Sequence, residues 1–163
     1  MAAIALGALL IGVGGATRAV ENDPLPVPVG TPRERAVRTY NEGVGVLLQR
    51  RYPEAQRLFE QALQLDEALA EAHNNLAYSL RMQGAQHFDR SLQHYNRAIE
   101  LEPTLAQAYM YRGVLFTQIG DLARARADHA TLLGLDRGLA AKLQQAIDGA
   151  GRDDRSGIAG QYD

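Results

Sequence analysis

Hydrophobic residues recur three and four positions apart from about residue 32 to residue 149. This spacing predicts amphipathic helices, and no stretch shows the sustained alternation that is typical of strands. The first helix is predicted to begin at Pro32, because Thr31 and Glu34 stand at the two positions of a capping box and proline is favoured at the first helical position. The pattern therefore predicts an all-α chain.

The helical region repeats itself. A shift of about 34 to 36 residues superposes three segments, Ala36–Leu69, Ala70–Leu105 and Ala106–Leu139. A constant period of this size is typical of repeat architectures. Three classes of position coincide in all three segments: small residues, a residue between the two halves, and a mostly aromatic position. They are Ala55, Ser91 and Ala125, then Arg50, Gly84 and Gly120, and last Phe59, Tyr95 and His129. The second segment holds two extra residues near Ala85–His87, where a turn between helices is predicted.

The repeated positions resemble the tetratricopeptide repeat, a helix–turn–helix unit of 34 residues. The positions that match best are Ala55, Phe59, Ala98 and Pro103, together with Tyr109, Arg112, Gly113 and Phe116. The positions that depart from the family pattern are Thr39, His73, His129, Glu67 and Arg137. The resemblance implies an α-solenoid of three tetratricopeptide helix–turn–helix repeats, which spans residues 32–149 with a C-terminal capping helix.

Small residues are predicted where helices approach closely, and Gly113 is expected to mark such a contact between the two helices of the third unit. Because each helix pair needs a neighbour to bury its apolar face, the last unit requires a capping helix. Leu139–Ile147 fits this role, with Asp136 as its N-cap and an end at Gly149 and Gly151. Residues 150–163 lack apolar periodicity and are predicted to form a disordered tail.

The first 19 residues form an apolar segment without a side-chain charge before Arg18. Its length suits the core of a signal peptide, or a short membrane anchor. The protein is therefore expected to be exported, periplasmic or membrane-anchored. No Lys or Arg precedes the apolar run, so the alternative is a cytoplasmic protein with a misassigned start codon or an apolar tail. Residues 20–31 form a proline-rich linker, which favours the extended polyproline II conformation.

Composition excludes several functions. The chain has no Cys, which rules out disulfides and a catalytic thiol, and its net charge of −2 argues against nucleic-acid binding. None of the four histidines lies in a His-x-x-x-His motif, and His73 and His129 fall at packing positions of the repeat. We therefore predict no catalytic residue, no metal site and no cofactor, and the alternative is an enzyme with an unrecognised site.

The resemblance also implies a function. In this family the first helices of the units line a concave groove that binds a peptide or a helix of a partner. The corresponding residues are Tyr40, Val44, Leu47, Asn74, Asn75, Tyr78, Arg81, Met110, Val114 and Thr117. Aromatic, thioether and amide side chains suit such a groove. The alternative is that Val44, Leu47 and Val114 are core residues, or that the N-terminal segment covers them.

The sequence does not support membership of one subclass of the family. Members that clamp the C-terminal carboxylate of a chaperone use Lys, Asn and Arg side chains, of which only Asn75 has a counterpart here. Tyr40 and Val44 occupy the positions in the first unit, and Gln107 and Tyr111 occupy those in the third. Without the cations little would hold a carboxylate at these positions.

The predicted activity is non-catalytic binding of a segment of another protein, in a scaffold or assembly role. The alternative is a structural protein that assembles with copies of itself into homo-oligomers. A tether to the membrane would come from the N-terminal segment.

Overall fold

The computed structural model describes residues 30–153 and the side chains of residues 30–151. The predicted signal segment, the linker up to residue 29 and the tail from residue 154 lie outside this range. In the described part the chain forms seven α-helices and no strand, which confirms the all-α prediction. The helices are α1 (Pro32–Leu48), α2 (Tyr52–Leu65), α3 (Ala70–Arg81), α4 (Phe88–Leu101), α5 (Ala106–Gln118), α6 (Leu122–Leu135) and α7 (Arg137–Asp153).

Local sequence signals set the helix ends. The Thr31 hydroxyl accepts from the Glu34 N–H at 3.2 Å, and the Glu34 carboxylate accepts from the Thr31 N–H at 2.8 Å, so the predicted capping box is present. Asp136 likewise accepts from the Leu139 N–H at 2.9 Å, as predicted for the start of the last helix. The two extra residues of the second unit lie in a 3₁₀ turn, Ala85–His87, between α3 and α4.

The seven helices stack in chain order as three hairpins and a final helix. Each helix contacts the next one, and α1, α3, α5 and α7 also contact one another in sequence, whereas more distant helices do not meet within the described range. This arrangement confirms the predicted solenoid of three repeats. Because contacts exist only between neighbours, each hairpin depends on the adjacent ones to bury its apolar face.

The small residues of the repeat permit close helix contacts. Ala55, Ala98 and Ala125 are fully buried. A Cβ at Gly43 would lie 2.7 Å from the Phe59 ring, so α1 and α2 approach closely only because this position lacks a side chain. In the second unit the Ser91 hydroxyl donates to the Ala77 carbonyl at 2.7 Å and so joins α4 to α3.

Two predictions for the C-terminal part are wrong in detail. The neighbour of Gly113 is Leu143 of α7 rather than a residue of α6, since a Cβ at Gly113 would clash with the Leu143 side chain. The last helix also continues past Gly149 and Gly151 to Asp153, so the first residues of the predicted tail are helical. Burial of Leu143, Ala146 and Ile147 against the third unit offsets the low helix propensity of these glycines.

A largely buried ion pair joins the two helices of the third unit, and its arginine also binds the second unit. Arg112 Nε donates to Asp128 Oδ2 at 3.0 Å and Nη2 donates to Oδ1 at 2.6 Å, while Nη1 donates to Asn96 Oδ1 at 2.7 Å. These three residues belong to α5, α6 and α4. Burial raises the pKa of the Asp128 carboxyl, and the hydrogen bonds and charge of Arg112 oppose this rise.

We predict that Gly113→Ala lowers the free energy of unfolding by roughly 1–3 kcal/mol, because the added methyl group displaces Leu143 from its contact. Urea denaturation measures this change. Gly45→Ala is the matched control, since it makes the same substitution in a helix where nothing lies within 4 Å of the added Cβ. The control is expected to gain about 0.5–1 kcal/mol from the better helix propensity of alanine. Equal effects of both substitutions would contradict the close contact between α5 and α7.

Candidate functional site

The first helices of the three hairpins supply the candidate groove. By repeat register α1 contributes Tyr40, Val44 and Leu47, α3 contributes Asn74, Asn75, Tyr78 and Arg81, and α5 contributes Met110, Val114 and Thr117. Most of these residues are half-buried, but Asn74, Arg81 and Val114 are only 5, 6 and 9% exposed. The groove positions therefore differ in how much of each side chain faces solvent.

The α1 residues of this set also belong to a core cluster. Tyr40, Val44 and Leu47 pack against the cluster formed by Ala55, Phe59, Leu76 and Leu80. The Tyr40 and Phe59 ring centroids lie 5.8 Å apart. The alternative interpretation of Val44 and Leu47 as packing residues is thus compatible with their contacts, and their half-burial leaves part of each side chain accessible.

A short chain of hydrogen bonds links α3 to α1. The Asn74 amide donates to Asn75 Oδ1, and the Asn75 amide donates to the Tyr40 hydroxyl, both at 3.1 Å. Burial raises the pKa of Tyr40, the charge of Glu71 adds to this rise, and the bond from Asn75 opposes it. Asn75 is therefore engaged with α1.

An aromatic cluster with one cation lies in the middle of the candidate groove positions. The Tyr78 ring lies 5.0 Å from the Tyr111 ring and 6.3 Å from the Tyr52 ring, measured between centroids. The Arg81 guanidinium carbon lies 5.2 Å from the centroid of the Tyr78 ring. Tyr95 is fully buried beneath this cluster, and burial raises the pKa of its hydroxyl although Arg81 opposes the rise. The half-buried rings of Tyr78 and Tyr111 thus lie next to an almost completely buried positive charge.

The tetratricopeptide repeat model matches residues 40–86 and 83–147, which together cover more than half of the chain. The chain belongs to the tetratricopeptide repeat (TPR) family. No curated protein sequence matches it.

Solved TPR structures share the fold at low sequence identity. The TPR domain of Arabidopsis OM64 is 18% identical with a TM-score of 0.67, and the match covers 72% of this chain and 98% of that one. The second TPR domain of human RPAP3, in complex with an HSP70 peptide, is 24% identical with a TM-score of 0.65, and the match covers 72% and 98% of the two chains. The Yersinia enterocolitica chaperone SycD, in complex with a peptide of the translocator YopD, is 12% identical with a TM-score of 0.65, and the match covers 74% and 95%.

A histidine pair that the sequence analysis did not identify lies outside the candidate groove positions. His73 Nδ1 and His94 Nδ1 are 2.9 Å apart, the rings stack with centroids 5.2 Å apart, and His73 Nε2 lies 3.1 Å from the Glu67 carbonyl oxygen. The two residues line an open surface pocket of about 370 Å³ together with Glu60, Leu63, Gln64, Leu76 and Arg90. In the described residues, no group of three or more His, Cys, Asp or Glu side chains is placed to hold a metal ion.

The environment of this pair keeps both imidazoles neutral. Burial lowers the pKa of His94 to about 4, and the charges of His73 and Arg90 add to this effect while Glu60 opposes it. Burial also lowers the pKa of His73, Arg97 adds to the decrease, and Glu67 opposes it through its carbonyl and its charge. At neutral pH one Nδ1 therefore donates a hydrogen bond to the other.

We predict that the protein loses stability as the pH falls from about 6.5 towards 4. His94 binds a proton near pH 6.5 in the unfolded chain and only near pH 4 in the folded chain, so the unfolded state holds more protons between these values. Melting temperatures measured between pH 7.5 and 4.5 should fall, and His94→Gln should flatten this dependence. His87→Gln is the control for loss of a histidine elsewhere in the second unit. An unchanged pH dependence in His94→Gln would contradict the assignment.

Proposed function

We propose that this protein is a non-catalytic interaction module that binds a segment of a partner protein on the concave surface of α1, α3 and α5. The single observation that supports this most is the aromatic cluster around Tyr78 and Arg81 at the centre of that surface. Aromatic rings and arginine are the side chains that contribute most energy at protein interfaces. The TPR structures named for complexes with HSP70 and YopD peptides are consistent with such a role.

The proposed ligand is an extended peptide or a helix, and the proposed role is that of a scaffold or an assembly factor. A groove of this kind gains affinity when a few anchoring side chains enter preformed pockets. We do not extend the HSP70-peptide specificity of human RPAP3 to this chain. Family members that clamp a carboxylate use Lys, Asn and Arg side chains. At the corresponding positions this chain has Tyr40, Val44, Gln107 and Tyr111, which carry no positive charge.

The location of the protein is a second part of the proposal. We propose export or a membrane tether through residues 1–19, which lie outside the described residues. Between residues 30 and 153, no helix combines the length and the hydrophobicity that crossing a membrane requires.

Mass spectrometry of the mature protein tests the proposed export. A cleaved N-terminus near Ala16 or Ala19 is the expected result for a signal peptide, whereas an intact apolar segment in a membrane fraction is the expected result for an anchor. Retention of Met1 in a soluble cytoplasmic fraction would contradict both forms of the proposal.

We predict that Thr117→Arg abolishes capture of the partner from an extract of the native organism. Thr117 is half-buried at a groove position of α5, and an arginine there would fill the groove. Thr131→Arg is the matched control, since Thr131 is exposed on α6. Each threonine hydroxyl donates to a carbonyl of its own helix. The acceptor is Val114 O at 2.7 Å for Thr117 and Ala127 O at 3.3 Å for Thr131. Affinity capture followed by mass spectrometry, with melting curves for both variants, measures the outcome.

Capture that survives Thr117→Arg in a folded protein would place the binding surface elsewhere. If the captured protein is a second copy of this chain, the alternative of a self-assembling structural protein applies. Light scattering at increasing concentration separates the two, because a monomer at high concentration is incompatible with self-assembly.

A further inference from the structure

Two buried polar atoms on the groove face of α3 have no hydrogen-bond partner within the described residues. They are Asn74 Oδ1 and Arg81 Nε. The Arg81 guanidinium also faces the Tyr95 hydroxyl, which is neutral and supplies no negative charge. Arg81 also forms no ion pair in residues 30–151, although its side chain is almost completely buried. A buried cation without an anion is costly, and an unsatisfied buried acceptor adds to that cost. These two atoms therefore indicate what a ligand has to supply: an acceptor, best an anion, at Arg81 and an N–H donor at Asn74.

The spacing of the two atoms restricts the shape of the ligand. Asn74 and Arg81 are seven residues apart on one helix, which corresponds to about 10.5 Å along its axis. An extended chain in the polyproline II conformation rises about 3.1 Å per residue, so about three to four residues span this distance. The matching ligand is an extended segment in which an acidic side chain stands about three to four residues from a free backbone N–H.

We propose that the chain's own residues 21–29, Glu-Asn-Asp-Pro-Leu-Pro-Val-Pro-Val, dock in the groove with the Asp23 carboxylate on Arg81. These residues lie outside the described range, and their sequence has the required chemistry. An acidic side chain stands at position 23, and the prolines at 24, 26 and 28 favour the extended conformation. Between the prolines, Leu25 and Val27 retain an N–H. That of Val27, four residues or about 12 Å from Asp23 in this conformation, fits the distance to Asn74 better than that of Leu25.

The length of the segment fits this path. Arg81 corresponds in the repeat to Leu47, and from Thr31 to Leu47 the axis of α1 covers about 24 Å. The seven residues from Asp23 to Gly30 span about 22 Å in the polyproline II conformation. Gly30 has φ +99°, a conformation that side chains disfavour, and it stands directly before the N-cap of α1. A chain reversal at this glycine would direct the preceding residues back along the groove.

The inference rests on the proposed function and describes its regulation. A segment that occupies the groove in the same molecule competes with a partner at a high effective concentration. A partner would therefore have to displace residues 21–29, and binding would be weaker than to an empty groove. The segment persists even when a signal peptide is cleaved near Ala16 or Ala19.

The absence of cysteine permits a direct test in the full-length chain. Leu25→Cys introduces a single thiol for a nitroxide spin label, and amide signals in ¹⁵N-labelled protein broaden when they lie close to it. We predict broadening at groove residues of α3 and α5, among them Tyr78 and Thr117, and none on the outer faces of α4 and α6. Asp23→Asn should lower the ratio of docked to free segment about tenfold, since hydrogen bonds to charged groups are the strong ones. Glu21→Gln is the matched control and should leave the broadening unchanged.

Further outcomes separate the proposal from its alternatives. Arg81→Gln should reduce the broadening as Asp23→Asn does, with no further loss in the double variant, because both remove the same pair. If Arg81→Gln does not fold, Asp23→Asn still decides, because Asp23 lies outside the folded repeats. Broadening that persists in Asp23→Asn, or that is confined to the first turn of α1, would overturn the proposal. A further sample mixes spin-labelled chains at natural nitrogen abundance with ¹⁵N-labelled chains that carry no spin label. Broadening in this mixture would show that the segment docks on a second copy and would overturn docking within one chain.

This readout needs no partner, so it does not depend on the capture experiment. Capture that depends on Thr117 without any broadening in the groove would leave the proposed function intact and overturn only the docking of residues 21–29. Broadening in the groove without capture would support the docking, because a docked segment blocks the partner. Failure of capture by Asp23→Asn, in which the segment is released, would contradict the proposed function.

Discussion

None of the three hairpins between residues 30 and 153 encloses its own apolar face, and the close stacking of each hairpin on the next is the condition for the rest of the structure. The stacking depends on positions where a side chain is absent or small. Gly43 admits the Phe59 ring between α1 and α2, and Gly113 admits Leu143 from α7. In the first two units the aromatic position is fully buried, whereas the third unit has the half-buried His129 there. The capping helix therefore fills the end of the core where the third unit lacks a large aromatic residue.

Much of this fold is predictable from the sequence because the repeat period relates equivalent positions. Arg50, Gly84 and Gly120 align in the three units, and all three adopt positive φ between the two helices of a hairpin, at +59°, +114° and +79°. The partner of a given side chain is less predictable, because it depends on how each helix is rotated against its neighbours. The contact between Gly113 and Leu143 and the pair of His73 with His94, 21 residues apart, arise from such rotations. The sequence predicts too early an end for α7, because packing outweighs the low helix propensity of Gly149 and Gly151.

The candidate groove is likewise predictable from the sequence only in part. Repeat register assigns residues to the first helices, but it does not state how deeply each one is buried. Val44 and Leu47 combine a groove position with packing on Leu76 and Leu80, and Asn75 uses its amide to hold Tyr40. The side chains that we propose for recognition are the aromatic ones around Tyr78 and the unsatisfied groups of Asn74 and Arg81. They are fewer than the predicted groove positions, and in our proposal they select an extended ligand with one acidic side chain.

A comparison of two arginines within the molecule supports this interpretation of Arg81. Arg112 lies near the Tyr109 and Phe116 rings, at 5.6 and 5.8 Å from their centroids, and Asp128 holds its guanidinium with two hydrogen bonds. Arg81 has an equivalent aromatic contact with Tyr78, but no carboxylate in the described residues pairs with it. Cation–π contact compensates only part of the loss of hydration, and a buried charge is retained at low cost only when an anion accompanies it. Because the fold supplies that anion to Arg112, its absence at Arg81 points to a carboxylate that arrives from outside the stacked helices.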